Sequence, residues 1–162
     1  MKKKLWIPIL IAAIAFGGAY LYVKLNPPLE IGTLASSENK HGVVIGVGNK
    51  GLGDLKQLNV SINNNEKPST ANIQVSNALQ GFFITNEYNR EEFDKYGIRG
   101  LEGITIKTGT SPTANFEKQD GGTATKEDTI YGITVFHSEP ISEVQIKYSY
   151  FGIPFRDTVI LN

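Results

Sequence analysis

The chain has no cysteine, one tryptophan, two histidines and a single methionine, Met1. Without cysteine there is no disulfide, no thiol nucleophile, no thiolate metal site and no processed cysteine for lipid attachment. A body of this size can build its core without disulfides, so the absence does not assign a compartment. His41 and His137 are isolated in sequence, and neither has another ligand at i, i+4 spacing. No serine is flanked as in a nucleophile elbow. Glu91-Glu92 suits an exposed helix face better than a glycosidase carboxylate pair, whose members must flank a cleft. There is no basic patch of the kind that binds nucleic acid, and nothing implies a cofactor.

Long hydrophobic runs are also missing, with one exception. Leu5 to Val23 is a stretch of 19 residues without a charge. As a helix it measures about 28 Å, close to the hydrocarbon thickness of a bilayer. Pro8 falls in its first turn, where a missing N–H costs little. Trp6 at one end and Tyr20 and Tyr22 at the other suit the two membrane interfaces. Lys2, Lys3 and Lys4 precede the run and only Lys24 follows it, so the positive-inside bias keeps the N-terminus cytoplasmic and exports the remainder. The competing reading is a cleaved signal peptide, with Gly17 and Ala19 before the cut, which would yield a secreted form. Apolar character continuing through Tyr20-Leu21-Tyr22-Val23 favours a retained anchor. All 16 acidic residues lie beyond the run, whereas four of the 16 basic ones (Lys2, Lys3, Lys4 and Lys24) flank it, leaving the exported part mildly acidic.

The expected division is a basic tip over 1–4, a transmembrane anchor over 5–23, a stalk over 24–40 and an extracytoplasmic domain over 41–162. Pro27-Pro28 favours extended geometry, and Ala35 to Lys40 reads as too polar to pack. From His41 the period becomes two: Val43, Ile45 and Val47; Leu58, Val60 and Ile62; Ile73 and Val75; Ile104 and Ile106; Tyr131, Ile133 and Val135; Val144, Ile146, Tyr148 and Tyr150; then Ile153, Phe155, Val159 and Leu161. A further strand is expected near Phe83. Glycine- and asparagine-rich turns separate these runs, which predicts seven or eight strands in a single antiparallel β-sandwich. One short helix is expected after Asn89, with Glu92 in its first turn, Glu91 and Lys95 paired, Phe93 and Tyr96 packed on the core, and Gly97 at its end, crossing between the sheets.

Gly46-Val47-Gly48-Asn49-Lys50-Gly51 has the spacing of a dinucleotide-binding loop. The β-type run Leu58 to Ile62 follows too soon for the helix that such a loop requires, so a glycine-rich hairpin loop or bulge is the better reading. Asp120, Glu127 and Asp128 lack the alternating spacing of a calcium loop. Asn59-Val60-Ser61 is a chance-level glycosylation sequon inside a strand. The longest polar stretch, Thr108 to Asp128, is the candidate interaction loop, through Thr108, Thr110, Ser111, Thr113, Phe116, Asp120, Thr123 and Thr125.

Leu58 to Val75, a strand, an Asn-rich turn and a strand, resembles the paired strands of immunoglobulin-like modules in bacterial envelope proteins. The cysteine–tryptophan–cysteine core of true immunoglobulin domains is missing. The expected function is non-catalytic: a membrane-anchored module contacting lipid through its helix and an envelope protein or cell-wall polymer through its domain. The alternative is an anchored hydrolase or transferase whose site forms only in three dimensions, from several of His41, His137, Asp120, Glu127 and Asp128.

Overall fold

The structure, a computed structural model, describes residues 6–85 and 89–161. The basic tip 1–4 therefore lies outside the described residues, as does Leu5 at the start of the apolar run. Helix α1 (Trp6–Leu25) has no buried residue and is long and apolar enough to cross a membrane. Trp6, near one end, and Tyr20 and Tyr22, near the other, are all exposed. Asn26 ends the helix, its backbone N–H and its side-chain amide both donating to Tyr22 O.

The expected stalk is corrected by the next element. Strand β1 (Leu29–Ser36) pairs antiparallel with β2 (Gly42–Asn49) as an edge of the main sheet. Only Asn26, Pro27 and Pro28 separate the helix from the domain. A register shift between Ile31 and Leu34 breaks the alternation of β1, so its apolar residues did not read as a strand. Ser37, within the segment that looked too polar to pack, is buried and accepts from Gly42 N.

The remaining elements are β3 (Leu55–Ile62), β4 (Thr70–Asn77), α2 (Arg90–Lys95), β5 (Ile98–Gly100), α3 (Pro112–Asp120), β6 (Thr129–Phe136), β7 (Glu143–Tyr150) and β8 (Ile153–Ile160). They form two antiparallel sheets, a five-stranded one in the order β1-β2-β6-β4-β5 and a three-stranded one in the order β3-β7-β8. The mainly β, sandwich-like fold is as expected, with eight strands. Val43, Ile45, Ile73, Ile133 and Val135 from the larger sheet meet Leu55, Ile62, Val144 and Ile146 from the smaller in one core. Ile106 is not in a strand; it makes a single bridge to Leu55 that seals one end of that core.

Two helices beyond α1, rather than the one expected, occur among the described residues. Helix α2 begins as expected: the Asn89 side chain accepts from Glu91 N at 3.0 Å and Glu92 N at 3.3 Å, and Gly97 follows at φ +66°. It does not cross between sheets, because β4 and β5 on either side of it pair in the same sheet. Nor is there a strand at Phe83. That segment lies over the outer face of the five-stranded sheet, where Phe93, Ile98 and Phe136 form a second, smaller cluster with Phe83 and Tyr96 against it. Phe83 and Tyr96 stack at 4.4 Å.

Candidate functional site

All eight residues of β2 are buried. One face looks into the core and the other is roofed by the segment 78–85 and by α3, and the glycines explain how the roof sits so close. Gly46 and Gly132 face each other across β2 and β6. A Cβ on Gly132 would fall 2.8 Å from the Phe82 ring, and one on Gly46 would lie 3.1 Å from it. The two glycines thus form a trough for an aromatic ring. On Gly48 a Cβ would collide with the Thr110 carbonyl and the Pro112 ring, and Pro112 also presses on Gly32. The expected glycine-rich loop is corrected accordingly: Gly46 and Gly48 lie inside a strand, and only Gly51 belongs to the turn. Their spacing serves close approach of backbone and ring, one of the standard uses of glycine in a strand.

Gln74 fixes the 78–85 half of the roof, opposite the half made by α3. Its buried amide donates to Phe83 O and Thr134 Oγ1, both at 2.7 Å, while its oxygen accepts from Phe83 N at 2.8 Å. A single side chain therefore satisfies both backbone groups of Phe83, which has no strand neighbour to do so.

Between these two parts of the roof is a cleft of about 220 Å³, with Gly46, Phe82, Ile84, Phe116 and Ile130 among its lining. Among the described residues, no carboxylate, lysine, arginine or histidine lines it. Ile84 and Phe116 stand at its mouth with 53% and 47% of their surface exposed, and Leu79 is more open still.

The candidate loop Thr108–Asp128 contains α3, so it is not one loop. Ser111 caps the helix by accepting from Ala114 N, and Pro112 is at its first position. Glu30 on β1 sits at that N-terminus, accepting from the Ser111 hydroxyl at 2.7 Å and from the hydroxyl and N–H of Thr113. Desolvation would raise the Glu30 carboxyl, but these hydrogen bonds and Lys50 outweigh it and hold the group below its ordinary value. Thr110 is buried, accepting from Asn49 N and donating to Lys107 O. Thr108 donates to Gly51 O, Thr123 to Lys118 O, and Thr125 to Asp128. The hydroxyls that resembled an interaction surface are thus spent on caps and turns, and Asp120 is simply exposed. Of the eight candidates only Thr110 and Phe116 line the cleft.

The five dispersed titratable groups do not meet there. Asp128 pairs with Lys118 and accepts from Thr125, which lowers its carboxyl to about 2, with the Lys118 hydrogen bond the largest cause. His41 and His137 adjoin through the backbone, His137 N donating to His41 O. His137 Nδ1 lies 3.3 Å from Ser69 Oγ and its Nε2 lies 3.9 Å from Glu66, a grouping with no signature in the sequence. The glutamate is beyond hydrogen-bond reach and half exposed, so the acid of a triad would not orient the ring. Among the described residues, no cluster of three or more acidic or histidine side chains is placed to hold a metal ion.

Compared with known proteins, the chain matches no family model, no curated protein and no solved structure.

Proposed function

We propose that the chain is a non-catalytic binding module of a bacterial cell envelope, held by α1 in the cell membrane with its N-terminus cytoplasmic and its β-sandwich outside. The lysine asymmetry across the apolar run supports that orientation. An immunoglobulin-like identity is supported by strand order: β1-β2-β6-β4 facing β3-β7-β8 follows the ABED and CFG arrangement of constant-type domains, with β5 added at one edge.

The single observation that carries the binding role is the apolar cleft between α3 and the segment 78–85. Its volume of about 220 Å³ falls below the ~300–1,000 Å³ of typical small-molecule pockets, and matches the insertion of one or two side chains better. The partner is then a protein segment presenting a large apolar residue, with Ile84 and Phe116 as the contacts of highest value. A cell-wall polymer, which needs hydroxyl-directed donors and acceptors, is less well served by this lining.

The test is selection of displayed envelope peptides on the full chain in lipid nanodiscs. Selected ligands should share a large apolar residue and lose about tenfold or more in affinity on Phe116→Arg or Ile84→Arg, as expected of an interface anchor. Ligands indifferent to both substitutions would remove the cleft from consideration. The hydrolase alternative rests on Ser69 and His137, and its measure is covalent labelling by a serine-directed fluorophosphonate that disappears with Ser69→Ala.

A further inference from the structure

Three segments come together at the end of the sandwich where α1 joins it. The connector Asn26–Pro28 lies beside the turn 50–54, since Lys50 N donates to Pro28 O at 3.0 Å and a Cβ on Gly51 would fall 2.7 Å from Pro28. That turn touches the β7–β8 hairpin tip: Leu52 N donates to Tyr150 Oη at 2.9 Å, and Gly53 abuts the Phe151 ring. Lys24, the first charge after the apolar run, donates to Pro154 O on β8 and lies 5.0 Å from the Phe155 ring centroid. Lys24 and Gly152 line the same open depression. The last turn of the helix and the hairpin tip are therefore neighbours.

Two large apolar side chains project from this end. Leu52 is 88% exposed, more than any other large hydrophobic residue described, and Phe151 is 65% exposed. Phe151 also holds φ +49° ahead of Gly152 at φ +76°, where a two-residue hairpin turn favours Asn or Gly at the first position. A bulky residue in the left-handed region costs energy, and the ring packs on Tyr150 at 4.4 Å and on Gly53 while most of its surface stays exposed. Lys24, Lys50 and Lys56 lie beside the two tips, Lys56 lining one depression with Leu52 and Phe151 and Lys24 another with Gly152. Lys107 is held in an ion pair with Asp54, and Glu30 is engaged by Ser111 and Thr113. Apolar tips flanked by lysines are the chemistry of a protein surface seated in the interfacial zone of a bilayer.

We infer that this end of the sandwich is a second membrane contact, in which Leu52 and Phe151 enter the headgroup–acyl boundary and the lysines meet lipid phosphates. The inference rests on α1 spanning the membrane, and continuity with that span identifies the occupant as lipid. The domain then sits end-on against the bilayer instead of standing clear of it.

The lack of native cysteine makes the test direct. Single-cysteine variants of the full chain, Leu52→Cys, Phe151→Cys, Ile14→Cys within α1 and Ser138→Cys at the opposite end of the sandwich, are labelled with an environment-sensitive fluorophore. They are then reconstituted in vesicles of phosphatidylcholine and phosphatidylglycerol. The expected result is blue-shifted emission, quenched by nitroxide lipids, at positions 14, 52 and 151, and water-like emission at 138. Lipid signal at 14 with water-like signal at 52 and 151 overturns the second contact and leaves the anchor standing. A water-like signal at 14 overturns the anchor reading and the second contact with it. Lipid signal at 138 equal to that at 52 shows label partitioning and also overturns the inference.

Discussion

On the outer face of the three-stranded sheet, β7 alternates strictly between half-buried Glu143, Gln145, Lys147 and Ser149 and buried Val144, Ile146, Tyr148 and Tyr150. On the outer face of the five-stranded sheet, β2 has no exposed position at all. The first strand separates water from core, whereas the second separates one packed layer from another. The difference lies in side-chain volume. Glycine at 46, 48 and 132 brings a roof of Phe82, Thr110 and Pro112 into contact with the sheet, and the cleft is the gap which that roof leaves. Any binding built on this face is thus bounded by residues with no side chain.

The comparison breaks most sharply at Gly48. Gly48→Val drives a branched side chain into the Thr110 carbonyl and the Pro112 ring, so α3 must lift from the sheet. The expected loss is about 3 kcal/mol or more by denaturant titration of the full chain in micelles, at the upper end for overpacking. Gly132→Ala first meets the Phe82 ring, a side chain that can shift, and should cost about 1–3 kcal/mol while reshaping the cleft. Gln74→Leu leaves the N–H and C=O of Phe83 without their partner, and a loss of about 1–3 kcal/mol is expected, with faster amide exchange over 78–85 and not in β7. Lys147→Ala, on the open face, should stay within about 0.5 kcal/mol.

The smallest effect sharpens the contrast through pH. Asp128 tethers the return from α3 by accepting from Lys118 and Thr125, and its carboxyl falls from 3.8 to about 2. A lowered folded-state value means that its contribution is complete above the unfolded value and vanishes as pH drops through the folded one. Protection factors for amide exchange in α3, taken against the intrinsic rate at each pH, should fall on acidification from about pH 4 to about pH 2. Asp128→Asn abolishes that step, and β7 should not respond in either protein. Because the pair is shallow and screened, the effect is modest.

This same contrast decides what the sequence made legible. Strands with a wet face, β7 above all, announced themselves by alternation, and so did the core positions Val43, Ile45, Ile133 and Val135. Strand β1 did not, because its bulge disrupts the period and Pro27-Pro28 looks like a linker. Helix α3, with the sequence PTANFEKQD, has no apolar stripe, yet Ser111-Pro112 before it and Gly121-Gly122 after it were start and stop signals that could have revealed it. The cleft had no signature, since its walls come from β1, β2, β6, α3 and an irregular segment. Of the candidate loop residues, Phe116 and Thr110 line it, and in the sequence both stand within a polar stretch that reads as a loop. Glycine reported close approach correctly in the sequence, but not what approached.

The three-residue joint between α1 and β1 has a consequence for encounter. Fully extended, it reaches about 10 Å, so the sandwich stays close to the end of α1. In the proposed membrane-anchored state, a partner for the cleft must itself come close to the lipid surface, and one that resides there is met by a lateral search in two dimensions. Lengthening the joint with flexible residues would widen that reach at the expense of local concentration.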